Sequence, residues 1–169
     1  MGNYNFIKIS PSIFISLFIL LSACGGNKTA KTVQKEDGKG KKVVHIARSY
    51  IGAKYKYGAA DKKRTDCSGL TTQVYEQVGV VLPRSSSAQP KIGQRVYIGE
   101  LRPGDLIFFG SKPSSKRVSH VGIISYAKGD YIKMIHASSS RGVVEDKIDE
   151  HYWRQRYIRA SRPLSTLKK

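Results

Sequence analysis

Hydrophobic residues change their spacing partway along the chain. Early on, apolar positions recur at Val43, Ile46, Ala47 and Tyr50, the three- and four-residue steps of one helix face. Gly52 supplies a stop signal. A second stripe runs through Cys67, Leu70, Thr71, Val74 and Val78. It predicts a helix over 67–78, with Asp66 as N-cap and Gly79 just past the end. From residue 105 the runs shorten and fill with β-branched and aromatic residues: "DLIFFG" (105–110), "HVGIISY" (120–126), "YIKMIHAS" (131–138), "GVVED" (142–146) and "RYIRA" (156–160). These read as strands, and "AKGD" at 127–130 is a hairpin turn signal. Helices first, strands after, and short connections predict an α+β fold with an antiparallel sheet.

The N-terminus has a different pattern. The apolar run Ile13 to Leu21 follows a thin positive region at Lys8. It is too short to span a bilayer and has the length of a signal-peptide core. "LSAC" at 21–24 resembles the lipobox of bacterial lipoprotein signal peptides, which implies cleavage before Cys24 and acylation of that residue. The next stretch, "GGNKTAKTVQKEDGKGKK" (25–42), has no apolar face and reads as a flexible tether. The expected organisation is therefore a signal peptide (1–23), a lipidated Gly/Lys-rich tether (24–42), one folded domain (43–163) and a basic tail (164–169).

A formal charge of +18 indicates an anionic partner and carries no information on fold. Export argues against nucleic acid and leaves an anionic membrane surface or a carboxylate-rich polymer. The C-terminal run "WRQRYIRASRPLSTLKK" reads as a solvated basic tail. Two cysteines in an exported chain would ordinarily suggest one disulfide. If Cys24 carries lipid, Cys67 remains a free thiol.

A thiol at a helix N-terminus has its thiolate favoured by unpaired N–H groups, so a populated Cys67 thiolate near neutral pH is the expectation. A neighbouring imidazole would serve as base. Pairing Ser125 with Tyr131 across the hairpin sets His120 directly opposite His136, with β-carbons about 5 Å apart. Both would share a core-facing surface with Gly122, Ile124, Ile132 and Met134. A one-residue slip would send the histidines to opposite faces. His120 would then take the thiol proton, and His136 would orient it. On spacing alone, an inert core cysteine beside two satisfied histidines stays open.

"DCSGL" (66–70), "GDLIFF" (104–109), "HVGII" (120–124) and "IHASS" (135–139) occur in the order found in the NlpC-type cell-wall cysteine peptidases. "AKYKYGA" (53–59) resembles that family's Tyr-containing segment, and "LPRSSSAQ" (82–89) its linker after the cysteine helix. Tyr57, Gly58 and Ala59 depart from the family's frequent Trp-Gly-Gly. The resemblance covers residues 43–163. It implies a papain-like core in which N-terminal helices pack on an antiparallel sheet. The implied activity is hydrolysis of peptidoglycan stem peptides or cross-links next to D-glutamate or diaminopimelate. It carries Cys67 as nucleophile, His120 as base and His136 as third polar residue, with Tyr55, Asp66 and Ser68 on the substrate side of the cleft. Arg84 and Gln89 match the linker motif.

His45 and His151 are unmatched and read as surface or packing residues. The family uses no metal or cofactor, and none is expected. The expected partners are peptidoglycan and, through the Cys24 lipid, a membrane, with the protein a monomer on the periplasmic side of an outer membrane. Two other readings compete: amidase or acyltransferase chemistry on the same fold, and a non-catalytic wall-binding lipoprotein.

Overall fold

The computed structural model describes residues 26–148 and 151–167, with side chains from residue 37 onward. The signal-like segment and Cys24 lie outside the described residues. Among the described residues three α-helices, α1 (Gly26–Arg48), α2 (Cys67–Glu76) and the short α3 (Tyr152–Arg156), accompany eight strands. Strands β1 (Lys54–Tyr55) and β2 (Arg64–Thr65) form a small parallel pair. The main sheet comprises β3 (Gln94–Val96), β4 (Leu106–Gly110), β5 (Val118–Lys128), β6 (Tyr131–Ser138), β7 (Gly142–Lys147) and β8 (Tyr157–Arg162). Its order is β3-β8-β4-β5-β6-β7, antiparallel throughout. The α+β expectation holds.

Helix α1 starts earlier than composition suggested. Residues 26–42, read as a flexible tether, are helical together with the predicted stripe. Val43, Ala47 and Tyr50 are buried at its anchored end, and a helix once anchored propagates cheaply through Lys, Ala and Gln. Gly40 crosses the Pro103–Gly104 backbone so closely that a β-carbon there would lie 2.2 Å from the Pro103 carbonyl oxygen. The glycine that looked like a flexibility signal is a packing contact. At the other end, the expected basic tail is also partly folded. Leu164 is buried against the helices, and the Ser165 hydroxyl donates to the Arg162 carbonyl at 2.7 Å.

Two apolar layers sandwich the sheet. Leu70, Val74 and Tyr75 of α2 join Val43 and Ala47 of α1 over Leu106, Phe108, Val121, Ile123 and Ile135. Alternate residues of the same strands, Ile107, Phe109, Ile124 and Met134, form a second cluster with Trp153 and Tyr157. This period-two division is what a strand buried on both faces requires.

One polar pair ties the layers together. Arg162 Nε and Nη2 donate to the two oxygens of Asp105, each at 2.8 Å. The Arg102 N–H adds a third bond at 2.8 Å, and the Tyr75 hydroxyl donates to the neighbouring Gly104 carbonyl. Burial raises the Asp105 carboxyl above its ordinary pKa even though Arg162 pulls against it, so the pair works by mutual compensation. Asp105→Ala strips the guanidinium of this carboxylate and should cost about 3–5 kcal/mol in urea unfolding. A loss below about 1 kcal/mol would show that the pair does not hold β4 to β8.

Candidate active site

Asp66 sets the geometry of the thiol. As N-cap of α2 it accepts from the Gly69 N–H at 2.7 Å, as its side chain and position predict. Its carboxylate also takes the Gly58 N–H at 2.8 Å, the Ser68 hydroxyl at 3.2 Å and two Arg84 nitrogens at 2.9 and 2.7 Å. Arg84 bridges onward to the Ala59 carbonyl at 3.0 Å. Burial alone would raise the Asp66 carboxyl, but the bonds from Arg84, Gly69 and Gly58 outweigh it and hold the group below its usual range. Gly69 allows this closure, because a β-carbon there would meet the Ala59 oxygen at 2.2 Å. Gln89, fully buried, clamps the following loop: it accepts from Thr71 and donates to the Pro83 and Ser68 carbonyls.

Cys67 thus occupies the first turn of a tightly tethered helix. The backbone N–H groups of Val121, Ser68 and Cys67 itself favour its thiolate. Among the described residues it forms no disulfide.

The histidines meet by a different register from the one expected. The hairpin pairs Lys128 with Tyr131 and Ile124 with Met134, with a bulge at Ser125 between the two registers. Continuing from the Ile123–Ile135 pair sets His136 level with Gly122, two residues from His120. The offset is even, so both imidazoles keep one face and become diagonal neighbours. His120 Nε2 and His136 Nδ1 are 3.0 Å apart, with rings perpendicular. His136 Nε2 lies 3.1 Å from Asp146 Oδ2, and Arg141 grips the same carboxylate with two nitrogens. That face does carry Ile124, Ile132 and Met134, but in the core cluster beneath Trp153 and away from α1 and α2.

Trp153 stacks along His120 with centroids 5.8 Å apart and meets the edge of His136 at 5.5 Å. Enclosed by Trp153, Phe109 and His136, His120 is pushed down to about 3 by desolvation, with the His136 charge a smaller cause. His136 is also lowered, chiefly by burial, although Asp146 opposes the shift. The thiol moves the other way. Burial, reinforced by the Asp66 charge, pushes Cys67 above its ordinary value despite the three N–H groups. The expectation of a thiolate populated at neutral pH is thereby corrected: desolvation outweighs the helix terminus, and the pair rests uncharged.

Two cavities meet at the sulfur. One, about 690 Å³, runs past His120, His136, Ser138–Arg141 and Trp153. The other, about 740 Å³, runs past Tyr57, Asp66, Ser68, Arg84 and Arg117. Tyr55, Cys67, Ser111 and Ser119 line both, so the cleft continues on either side of the nucleophile. The structure brings Cys67, His120, His136 and Tyr55 to one place. Asp66 and Ser68 line the second cavity while already engaged by Arg84. His45 and His151 are exposed and take no part. Trp153, Asp146 and Arg141 escaped sequence reasoning. An Asp two residues beyond the Val143–Val144 pair was the available signal, since alternation puts it opposite Met134 on the face that His136 shares.

An imidazole held from behind can accept a thiol proton as sulfur attacks an acyl carbon. On this α+β scaffold that is the chemistry of a cysteine-type peptidase with a papain-like core. Comparison with known proteins gives the particular group: residues 52–162 match the model of the NlpC/P60 family, and the chain belongs to it. It is 33% identical over 177 residues to the murein DD-endopeptidase MepS/murein LD-carboxypeptidase of Escherichia coli, covering 89% of this chain and 90% of that protein. It is 35% identical to the gamma-DL-glutamyl hydrolase of Bacillus subtilis over 68% of this chain but 27% of that one. Among solved structures, an NlpC/P60 family protein from Bacillus cereus superposes with a TM-score of 0.67 at 28% identity, over 74% of this chain and 40% of that one. The NlpC/p60 domain of the peptidoglycan hydrolase SagA superposes at 0.60 and 29% identity, over 72% and 97%.

The two imidazoles should separate on mutation. His120→Ala removes the proton acceptor and should lower kcat by about 10²–10⁴-fold, while His136→Gln keeps a polar partner and should retain a larger share. Steady-state kinetics on a thiol-dependent substrate would check this ordering. Wild-type kcat in His120→Ala would remove it from the reaction.

Proposed function

We propose that the protein is a lipid-anchored cysteine endopeptidase that cleaves stem peptides or cross-links of peptidoglycan. The observation that carries the reading is the cleft running past Cys67 in both directions, with His120 and His136 on one of its walls. A chain segment, rather than only a chain end, can lie across the sulfur. Cys67 attacks the scissile carbonyl carbon while His120 takes the thiol proton through the nitrogen not bonded to His136. The N–H groups around the sulfur then stabilise the developing oxyanion. His120 returns the proton to the leaving amine, which departs as the C–N bond breaks and a thioester forms. Water, deprotonated by the same imidazole, releases the acid and restores the thiol.

The chain's surplus of positive charge suits a carboxylate-bearing polymer. Similarity to the murein DD-endopeptidase extends nearly end to end in both chains, whereas the gamma-DL-glutamyl hydrolase shares only a quarter of its length. Tyr55, Asp66 and Ser68 are assigned to the substrate side, with Asp66 and Ser68 acting through the wall they build with Arg84. The anchor is an acylated Cys24, with α1 as a spacer: the 17 steps from Gly26 to Val43 at 1.5 Å each give about 25 Å. The enzyme acts as a monomer on the periplasmic side of an outer membrane.

Incubated with a defined cross-linked muropeptide dimer, the purified protein should yield two monomers whose masses sum to the dimer plus one water, and Cys67→Ala should yield none. Release of an intact stem peptide from the sugar would instead identify an amidase, and an unchanged dimer would leave a wall-binding role. Cys24→Ala should still cut isolated peptidoglycan but no longer sediment with membranes. A native protein without acyl mass on its N-terminal peptide would contradict the anchor.

A further inference from the structure

The hydrogen-bond chain behind His120 does not end at His136, and its far end has a directional consequence. Asp146 lies on β7, opposite Met134, and turns its carboxylate onto His136 Nε2 at 3.1 Å. Arg141, at the start of the same strand segment, binds both carboxylate oxygens. An ionised carboxylate only accepts and a guanidinium only donates, so nothing at this end is ambiguous. By contrast, each imidazole between it and the thiol can carry its single proton on either nitrogen.

We propose that Asp146, clamped by Arg141, is a positioning residue that selects the tautomers of both catalytic-site histidines and so leaves His120 Nδ1 bare to receive the thiol proton. The alternation of donors and acceptors is forced. Asp146 Oδ2 accepts, so His136 Nε2 carries the proton. A neutral His136 then has a lone pair on Nδ1, which must accept from His120 Nε2–H across the 3.0 Å contact. Neutral His120 has no second proton, so its Nδ1 is unprotonated. Reversing the first choice reverses all the others: His136 would donate from Nδ1, and His120 would hold its proton on the nitrogen that has to act as base. The Arg141 bond is the main cause of the lowered Asp146 pKa, which keeps the terminal acceptor ionised. Burial of His136 keeps that ring neutral, as the alternation needs.

The proposal rests on the reading of His120 as base, but its primary test does not depend on any substrate. Imidazole ¹⁵N spectra of the full chain near neutral pH should show both His120 and His136 protonated on Nε2. A wild-type spectrum with His120 protonated on Nδ1 would overturn the proposal without a variant. In Asp146→Asn the amide offers a donor as well as an acceptor, so the His120 Nδ1–H form should become populated; an unchanged tautomer would also overturn it. In kinetics, Asp146→Asn should lower kcat about ten- to a hundredfold with little change in KM. The loss should shrink to about twofold in a His136→Gln background, where the side-chain amide can turn its own oxygen toward His120. A merely structural carboxylate would cost the same in both backgrounds, and that result would refute the selection of tautomers.

Discussion

The 3.0 Å contact between His120 Nε2 and His136 Nδ1 is the constraint on which the rest of the site depends. It exists only because β5 and β6 pair with an even offset, so that two residues sixteen apart in sequence share a face. The β-hairpin supplies that parity, and the bulge at Ser125 absorbs the residue that would otherwise disturb it. With the imidazoles fixed to each other, Cys67 has to be brought to them. The Asp66–Arg84–Gly58 knot does so by pinning the first turn of α2 against the 58–60 loop. The buried Asp105–Arg162 pair joins β8 to the start of β4, the strand that pairs with the one carrying His120.

The electrostatics follow from the same enclosure. Trp153 and Phe109 flank His120 and shield it in part from water, which disfavours the imidazolium. Cys67 is only 8% exposed, and burial disfavours its thiolate in the same way. An opposite-charge pair could offset both penalties, but the Asp66 charge beside the sulfur works against the thiolate. The resting state is therefore thiol and neutral imidazole, and the proton moves as the substrate carbonyl is attacked. Placing Trp153 over the histidines thus trades ground-state nucleophilicity for a base that stays unprotonated well into acid.

Much of this was legible in the sequence, for identifiable reasons. The α1 and α2 stripes are long enough to carry a 3.6-residue period, with Asp66 marking the N-terminus of α2 and Gly79 its end. The five predicted strands are buried on at least one face and rich in β-branched residues. Strands β1, β2 and β3 have two or three residues each, too few for any period to register. The hairpin face was legible but not its register, because a bulge leaves no mark in the alternation of a doubly buried strand. Residues 26–42 carry no apolar stripe of their own to announce a helix; theirs continues from the buried Val43 and Ala47 end, and Gly40 allows it to pass close to Pro103–Gly104. Trp153 was hidden within a basic run whose charges dominate its composition, and Asp146 gains its meaning only from Met134 across the sheet. The thiol's charge state was misjudged because a helix N-terminus is visible in sequence, whereas desolvation is not.

Nucleophile and base rest uncharged and exchange a proton only during attack. The ultraviolet absorbance of the thiolate, taken as the difference between the native protein and Cys67→Ala, measures this directly as pH is raised. Negligible thiolate is expected at neutral pH, with a rise only in the alkaline range, above the ordinary cysteine pKa. A full thiolate signal already present at mildly acidic pH would mean a preformed thiolate–imidazolium pair and would contradict the uncharged resting state.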